Sequence, residues 1–519
     1  METKEFTSRR VFMMSLPIFL ELLLQLLVGN ADQAMLSSYS QNSVGAVGNA
    51  NQIINIAILV LNMLCTGATV LASQSLGAGD KRRVSVVSSV SALLVLLFGL
   101  LLSAVLLLFP EPLFRLISVP DTLIAEAAEY TRLVTLCLAV QGAYMLVCAI
   151  LRSYGLVKEV LLTAVVMNTL NIGLNALLIN GFCGFPRLGA AGAAISTDVS
   201  KVVGFALALV FLYKRTDARF LPRLLAKPFP VRELRSTLAI SLPCGSETFS
   251  YQLSQLTIMK FVNRLGTAAI NTKIYCYMMA NAMYLYSVAI AQATQIVVGY
   301  LVGRNELGSV RARVWRSVLA SIAVSESLNL LIYVFAAPIF GIFTQDPAVI
   351  ALARQIILVG FALELGRSVN ITMVRCLIAV GDVRFPVGAA LFSTWFIAVG
   401  LAGCSACISA WALWGFGSAW RRMSVSAACC LCCVSVQEAG SALRKRRRVQ
   451  CMHRHGNALH KNSRAEALFL RRPALRFPAL RAASAKSADT ASPPLRYAKE
   501  ASRAPGVQCA PANPIPGTA

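Results

Sequence analysis

Residues 11–32 read V-F-M-M-S-L-P-I-F-L-E-L-L-L-Q-L-L-V-G-N-A-D, a stretch in which only Glu21 and Asp32 are charged. A helix needs about 20 mostly apolar residues to cross the roughly 30 Å hydrocarbon core of a bilayer. The stretch therefore predicts a transmembrane helix. It follows Arg9 and Arg10 and has no small-residue cleavage site, so we expect a first membrane span rather than a signal peptide.

Ten further apolar blocks of this kind follow along the chain. They begin near Ile53, Val84, Tyr130, Val160, Ala190, Leu238, Ile274, Val318, Ile350 and Val387. The composition agrees, because 57% of the 519 residues are hydrophobic and only 14% are charged, against about 25% charged residues in an ordinary soluble domain. The blocks are too long for core strands and lack the alternation of a membrane barrel. The sequence predicts an all-α polytopic membrane protein.

Lysine and arginine are concentrated at the N-terminus and in the even-numbered loops between these blocks. The residues concerned are Lys4, Arg9, Arg10, Lys81, Arg82, Arg83, Arg152, Lys158, seven in the segment 214–236, Arg304, Arg311, Arg313, Arg316, Arg375 and Arg384. The seventh loop is an exception, with Lys260, Arg264 and Lys273. Because basic segments resist translocation, we expect a multi-pass protein of the cell (inner) membrane with a cytoplasmic N-terminus.

The two halves of the chain resemble each other at a nearly constant offset. Pro17 and Glu21 recur in the second half as Pro243 and Glu247, and Gly155 recurs as Gly381 at the same offset. A repeat that contains six spans returns the chain to the same side, so the two halves should be parallel and pseudo-symmetric. Transporters built in this way bind substrate between the lobes, which rock against each other.

The repeat divides the chain into four predicted parts. The N-lobe covers residues 1–213 with helices 1–6, a cytoplasmic connector covers 214–236, and the C-lobe covers 237–403 with helices 7–11. Two six-helix lobes make a twelve-helix plan, in which the last helix is missing or corrupted. Residues 404–519 form the fourth part, which we expect to be largely disordered because it is rich in Arg, Ala, Pro and Ser.

The pattern of the repeat breaks after Gly403. If the sequence after Gly403 is back-translated and the reading frame is shifted by one nucleotide, the new frame can encode a sequence that resembles Leu188–Ile195 of the first half. It includes a counterpart of Asp198. We therefore hypothesise that residues 404–519 are a frameshift product. The cysteines, the pair His453 and His455, and the basic run of this part are then not a metal or nucleic-acid site.

Ionisable and amide side chains within the apolar blocks are the candidate functional groups, because they are costly in hydrocarbon and usually face a cavity or a partner. Asp32 and Glu21 are the candidates for ion coupling, since a buried carboxylate can bind a proton or Na⁺. The substrate or cavity candidates are Glu247, Asn168, Asn171, Asn175, Glu364 and Arg367. The alternative for each is structural, as an interhelical hydrogen bond or an internal ion pair. Glu364 with Arg367, and Asp198 with Lys201, have the spacing for such pairs.

These residues lie in a sequence that resembles the bacterial multidrug and toxic compound extrusion (MATE) transporters over about residues 1–403. The matching stretches are PIFLELLLQ (17–25), NADQAMLS (30–37), LGAGD (76–80), NIGLNALLING (171–181), LGAAGAAIST (188–197), AQATQIVVGYLVG (291–303) and GDVRFP (381–386). The resemblance implies antiport of drugs against Na⁺ or H⁺ between two six-helix lobes.

The resemblance carries over to single residues only in part. Asp32 matches the acidic residue of the first span that is implicated in cation coupling in the family. Tyr251, a further cavity candidate, stands where some members have a glutamate, and Arg367 stands where some have an aspartate. The resemblance therefore favours a proton site around Asp32 over coupling through a Na⁺ site in the C-lobe.

Three other functions compete with this interpretation. A lipid-linked precursor flippase of the same superfamily and a major-facilitator-type transporter are the alternatives that share a multi-span architecture. An enzyme is not expected, because residues 1–403 contain no histidine, metal-ligand cluster or phosphate loop. The expected partners are a small, cationic organic substrate and the lipid bilayer, with no nucleic acid, no cofactor beyond H⁺ or Na⁺, and a monomeric state.

Overall fold

The computed structural model describes residues 8–117, 119–221, 223, 229–262, 267–341 and 347–399. These residues form α-helices joined by short turns. The helices of the first half are α1 (Ser8–Ser37), α2 (Gln41–Gly77), α3 (Lys81–Leu108), α4 (Pro110–Leu116), α5 (Asp121–Leu136), α6 (Leu138–Ser153), α7 (Val157–Asn180) and α8 (Ala190–Arg215). Those of the second half are α9 (Val231–Val262), α10 (Thr267–Gly303), α11 (Leu307–Val334), α12 (Ala336–Gly341), α13 (Pro347–Val380) and α14 (Arg384–Phe392), and a π-helical segment, Ser393–Val399, follows α14.

Short polar turns set where the helices begin. The hydroxyl of Ser40 accepts a hydrogen bond from the backbone N–H of Ser43 at the start of α2, and the carboxylate of Asp80 accepts one from Arg83 at 2.9 Å at the start of α3. Such side chains satisfy backbone donors that the first helical turn leaves unpaired. Consequently α2 begins at Gln41, well before the start near Ile53 that the apolar pattern predicted.

The helices have the length and apolar character of membrane spans. Seven of the described helices qualify individually, and α5 and α6 qualify together as one broken span with a bend of 49°. Leu97, Leu100 and Leu101 of α3 expose more than half of their surface. Long apolar helices with exposed leucines require lipid as their solvent. The protein is therefore a multi-pass membrane protein, as the sequence predicted.

The two halves fold in the same way. One constant shift in numbering carries the bounds of α2 onto those of α10, the bounds of α3 onto those of α11, and the start of α4 onto that of α12. Within the first lobe α2 packs on α3 and α6, and within the second lobe α10 packs on α11 and α13. Both α1 and α9 contain an internal proline, Pro17 and Pro243. These equivalences confirm the two parallel, pseudo-symmetric lobes.

The lobes meet along α2 and α10 at the end of the bundle where α1 begins, which we call the closed end. A Cβ atom added to Gly77 would overlap the backbone of Tyr300, and one added to Gly303 would overlap the backbone carbonyl of Gln74. The two contacts are related by the repeat, since Gln74 is equivalent to Tyr300 and Gly77 to Gly303. Glycine allows the two backbones to approach closely here.

Two further packing regions at the closed end follow the same symmetry. Gly67 of α2 lies against Thr237 and Ser241 of α9. The equivalent region of the other lobe contains Val11 of α1 and Ala293 of α10, which share one buried apolar cluster. Among the described residues, the lobe interface is therefore formed mainly by reciprocal contacts of α2 with α9 and α10, and of α10 with α1 and α2.

The predicted connector is partly helical, and the predicted tail is not among the described residues. The segment 214–236 was expected to be a connector, but α8 ends at Arg215 and α9 already begins at Val231, so its last residues are helical. The predicted tail 404–519, including any sixth helix of the second lobe, lies outside the described residues.

Candidate functional site

Asp32 and Asn175 form the centre of a polar cluster in the first lobe. The Asn175 side-chain nitrogen donates a hydrogen bond of 2.6 Å to the Asp32 carboxylate and is 3.3 Å from the amide oxygen of Asn171. The Asn171 nitrogen in turn donates to the hydroxyl of Thr197 at 3.4 Å. Asn175 is fully buried and Asn171 nearly so, whereas Asp32 is half-buried. The chain of hydrogen bonds connects α1, α7 and α8 and orients the carboxylate.

The third asparagine of α7 lies in the same stripe. Asn168 is buried, and its side-chain nitrogen has no hydrogen-bond partner among the described residues. Asn168, Asn171 and Asn175 recur at helical spacing, so they share one face of α7. The structure thus brings Asp32 and the three predicted asparagines to one region of the first lobe.

Two charged residues of α8 extend this cluster. The ammonium group of Lys201 interacts electrostatically with the carboxylates of Asp198 and Asp32. One carboxylate oxygen of Asp198 is buried without a hydrogen-bond partner among the described residues. Two acids and one base in a poorly solvated region leave one negative charge uncompensated. A group of this kind can bind one proton or one positively charged ligand.

Glu21, the other predicted coupling residue, lies in a different environment. Its carboxylate forms an ion pair with Arg152 of α6, and the two side chains expose 3% and 23% of their surface. Although Glu21 and Asp32 share α1, Asp32 bonds to α7 and Glu21 to α6. Sequence reasoning singled out Glu21 but missed Arg152, which the basic-loop count had treated only as an orientation signal.

Glu247 occupies the position in α9 that is equivalent to Glu21. The charge of Arg375 on α13 acts on it, as that of Arg152 acts on Glu21. Tyr251 lies one turn further along α9, where its backbone carbonyl accepts a hydrogen bond of 2.7 Å from the hydroxyl of Ser254. The pseudo-symmetric placement of the two glutamates confirms the sequence repeat at the level of side chains.

Glu364 and Arg367 form the expected ion pair on α13, with 2.9 Å between the Arg367 nitrogen Nη1 and the Glu364 oxygen Oε1. Sequence reasoning missed Glu326 of α11, whose charge interacts with that of Glu364. Glu326 stands within an apolar span, so the rule that intramembrane carboxylates are functional candidates could have found it. Its proximity to Glu364 is a tertiary feature, because the two acids lie on different helices.

Comparison with known proteins gives consistent matches over most of the described chain. The MatE family model matches residues 17–177 and 243–403, once in each half. The transporter YisQ of Bacillus subtilis is 36% identical over 394 residues, covering 76% of this chain and 86% of YisQ. A probable multidrug resistance protein NorM of Thermotoga maritima is 24% identical over 387 residues, covering 75% and 83% of the two chains.

Solved structures show the same fold. The crystal structure of the Vibrio cholerae MATE transporter VcmN superimposes with a TM-score of 0.77 at 18% identity, covering 84% of this chain and 97% of VcmN. The structure of a MATE protein in complex with MaD3S gives a TM-score of 0.77 at 20% identity, covering 84% and 96%. The arrangement of two helical lobes is therefore shared with these proteins.

Proposed function

We propose, from the premise that this chain belongs to the MatE family of multi-span membrane transporters, that it exports organic cations in exchange for protons. Transport is secondary active and proceeds by alternating access. The observation that carries this proposal is the hydrogen bond from Asn175 to the half-buried carboxylate of Asp32. The names of the relatives, among them multidrug resistance proteins, support an organic substrate.

Asp32 acts as the exchange group in this mechanism. When the carboxylate is ionised, the amide of Asn175 and the ammonium of Lys201 stabilise its charge. A proton or the positive charge of a substrate can then compete for the same oxygen atoms. Because one group cannot carry both at once, uptake of a proton releases the substrate and uptake of the substrate releases the proton.

The position of Asp32 suits access from one side of the membrane. Asp32 lies near the end of α1 at Ser37, and Asn175 lies equally near the end of α7 at Asn180. Both ends are opposite the closed end, where α2 and α10 are in contact. Rocking of the two lobes against each other would separate this contact and expose the polar region to the other side.

The distribution of basic residues supports one orientation of the protein in the membrane. Lys81, Arg82 and Arg83 begin α3 at the closed end, and Arg304 follows α10 at the same end. Basic residues mark the cytoplasmic side, which supports a cytoplasmic N-terminus and a cytoplasmic closed end. Substrate would then leave through the opposite, external end.

The domain organisation and the state of the C-terminus are part of the proposal. We assign residues 1–213 to the N-lobe, 214–236 to the connector and 237–403 to the C-lobe, and we propose a monomer because each chain holds both lobes. Residues 404–519 are assigned to a frameshift that replaced the twelfth helix. A shifted reading frame with early stop codons would refute it.

The proposal is tested by transport into and out of vesicles. The chain, a frame-corrected version and its Asp32→Asn variant are reconstituted, and efflux of tetraphenylphosphonium is followed under an imposed proton or sodium gradient. We expect proton-driven efflux in the corrected version and its loss in Asp32→Asn. Asp121→Asn, at an exposed aspartate that begins α5, is the matched control and should transport normally. Unchanged efflux in Asp32→Asn would remove this residue from the mechanism.

A further inference from the structure

Lys201 of α8 lies on the helix face that belongs to the polar cluster around Asp32. Asn175 of α7 bonds to Asp32 at 2.6 Å, and Asn171, one turn away on α7, donates to the hydroxyl of Thr197 at 3.4 Å. Lys201 follows Thr197 by four residues, so the two side chains share one face of α8. In agreement, the ammonium group of Lys201 interacts electrostatically with the carboxylate of Asp32. A fixed positive charge therefore lies close to the proposed exchange group.

Lys201 lies deeper in the first lobe than Asp32. The helices α7 and α8 are packed neighbours joined by a short connection, so they run antiparallel. Asn168 lies one turn from Asn171 toward the closed end, and Lys201 lies one turn from Thr197 in the same direction. A ligand that enters from the opposite end reaches Asp32 first and has the ammonium group of Lys201 behind it.

Two carboxylates share the positive charge of Lys201. The ammonium group acts on Asp32 and also on Asp198, which precedes the lysine by three residues on α8. The buried side chain of Tyr130 on α5 interacts electrostatically with both carboxylates, so the two acids lie in one region. When both acids are ionised, the lysine offsets one of their two negative charges. One unit of negative charge from this pair of acids is then left to attract a ligand.

The effect of this lysine on a bound cation depends on the charge of that cation. Electrostatic energy is proportional to the product of two charges, so Lys201 repels a dication twice as strongly as a monocation in the same position. At a separation of about 10 Å and an effective dielectric constant of about 20, each unit of ligand charge corresponds to about a tenfold change in affinity. Other charges around the site do not alter this difference, because they are the same with and without the lysine.

We propose that Lys201 selects singly charged organic cations over doubly charged ones, because it offsets the negative charge that would neutralise a second positive charge of the ligand. The inference deepens the proposed transport function and rests on it for the place where the cation binds. Lys201 acts through its charge, without a direct contact to the ligand. Arginine should therefore be able to replace it, whereas an uncharged side chain of similar length should not.

The test compares two flat cations of nearly the same shape, N-methyl-4-phenylpyridinium with one positive charge and methyl viologen with two. Equilibrium binding of each to the purified full chain is measured at one pH, and the ratio of the two affinities is the readout. Lys201→Met should shift this ratio about tenfold in favour of methyl viologen. Lys201→Arg should keep the ratio of the parent. Lys158→Met, at an exposed lysine in the first turn of α7, is the matched control and should leave the ratio unchanged.

A second pair of variants measures the lysine without leaving two acids uncompensated, which protects the test against a folding defect. Asp198→Asn should shift the ratio about tenfold toward the monocation, and the double variant Asp198→Asn with Lys201→Met should return it to the parent value. An unchanged ratio on removal of the lysine in either background, or an equal shift in Lys158→Met, would overturn the inference.

The Asp32→Asn variant separates this inference from the proposed function. Retained binding of N-methyl-4-phenylpyridinium in that variant would contradict the role of Asp32 in the proposed function. An unchanged ratio in Lys201→Met, together with loss of binding in Asp32→Asn, would contradict the selection by charge alone.

Discussion

Ser73 and Gly299 occupy equivalent positions of the two repeats and face each other where α2 meets α10. A Cβ atom added to Gly299 would overlap the hydroxyl of Ser73. Two equivalent residues can contact each other only on the axis that relates the repeats. This contact therefore marks the pseudo-twofold axis at the closed end, and it identifies the helices whose separation an alternating-access cycle requires.

Gly303→Ala should loosen the closed end. The new methyl group would overlap the backbone carbonyl of Gln74, which cannot move without shifting α2. We expect a loss of about 1–3 kcal/mol in stability, as for other overpacked contacts. Thermal unfolding in detergent measures the loss. Labelling of a cysteine introduced at Ser73, in a background without other cysteines, should rise at the same time.

Gly308→Ala is the control for this variant, because a Cβ atom at Gly308 would meet no atom within 4 Å. Its stability should stay within about 1 kcal/mol of the parent, the range of helix propensity. Equal effects of the two substitutions would contradict the role of the α2–α10 contact.

Glu21→Gln should destabilise the first lobe. The substitution leaves the guanidinium of Arg152 without its charged partner in a largely buried position. Breaking a buried ion pair in this way costs about 3–5 kcal/mol. The free energy of unfolding in detergent is the measurement, and the double variant Glu21→Gln with Arg152→Met should recover part of the loss.

Glu111→Gln provides the comparison, since Glu111 pairs with Arg132 on the surface at 3.0 Å and both side chains are 48% exposed. An exposed pair contributes at most about 1 kcal/mol. If the two glutamine substitutions destabilised the protein equally, the ion pair of Glu21 would have no special structural role.

Asn175→Ala should weaken cation binding without unfolding the lobe. The variant loses the 2.6 Å hydrogen bond to Asp32, and a hydrogen bond to a charged group contributes about 1.5–3 kcal/mol. Affinity for tetraphenylphosphonium should fall by roughly ten- to a hundredfold. Equilibrium binding to the purified protein measures it.

Asn180→Ala tests the same helix at its end, where the amide oxygen of Asn180 accepts a hydrogen bond of 3.3 Å from the exposed hydroxyl of Ser38. Binding should be unchanged in this variant. A similar loss of affinity in both variants would indicate a general effect on α7 rather than a contact with the binding site.

Asp217, in the turn between α8 and α9, should titrate at an unusually low pH. The hydrogen bond from Lys81, with 2.7 Å between the charged atoms, lowers the pKa of this carboxyl below its ordinary value. The hydrogen bond stabilises the ionised carboxylate of Asp217. Any contribution of this group to folding stability is therefore present above the ordinary pKa of the unfolded state, and it is lost as the pH falls through the lowered pKa of the folded state. Carbon NMR of labelled aspartate measures the pKa, and Lys81→Met should return it to the ordinary range. A pKa that stayed low in Lys81→Met would exclude the lysine as the cause.

Sequence reasoning located the helices and the repeat but underestimated the length of α2. Apolar blocks of about 20 residues identify spans because the bilayer requires that length. The second apolar block was predicted to begin near Ile53, whereas α2 begins at Gln41, directly after the cap at Ser40. The break near Cys137 that divides one expected span into α5 and α6 was also not predicted.

The sequence pointed to the residues of the candidate site, but it indicated only in part which of them contact each other. Asp32 and the asparagines of α7 were both named, yet their hydrogen bond joins residues 143 positions apart. A pattern of neighbouring residues in the sequence cannot predict a contact between residues that are so far apart along the chain. The same holds for Arg152 beside Glu21 and for Glu326 beside Glu364, where the residue types were visible and the partners were not.

The sequence by itself determined that this chain spans a membrane, because local hydropathy reports directly on the solvent that each helix requires. It also determined the parallel duplication, because equivalent prolines, glutamates and glycines recur at one offset. Only the tertiary structure decided which polar groups meet and which glycines join the lobes. Those contacts depend on how tilted helices pack in three dimensions, and packing brings together residues that no spacing along the chain connects.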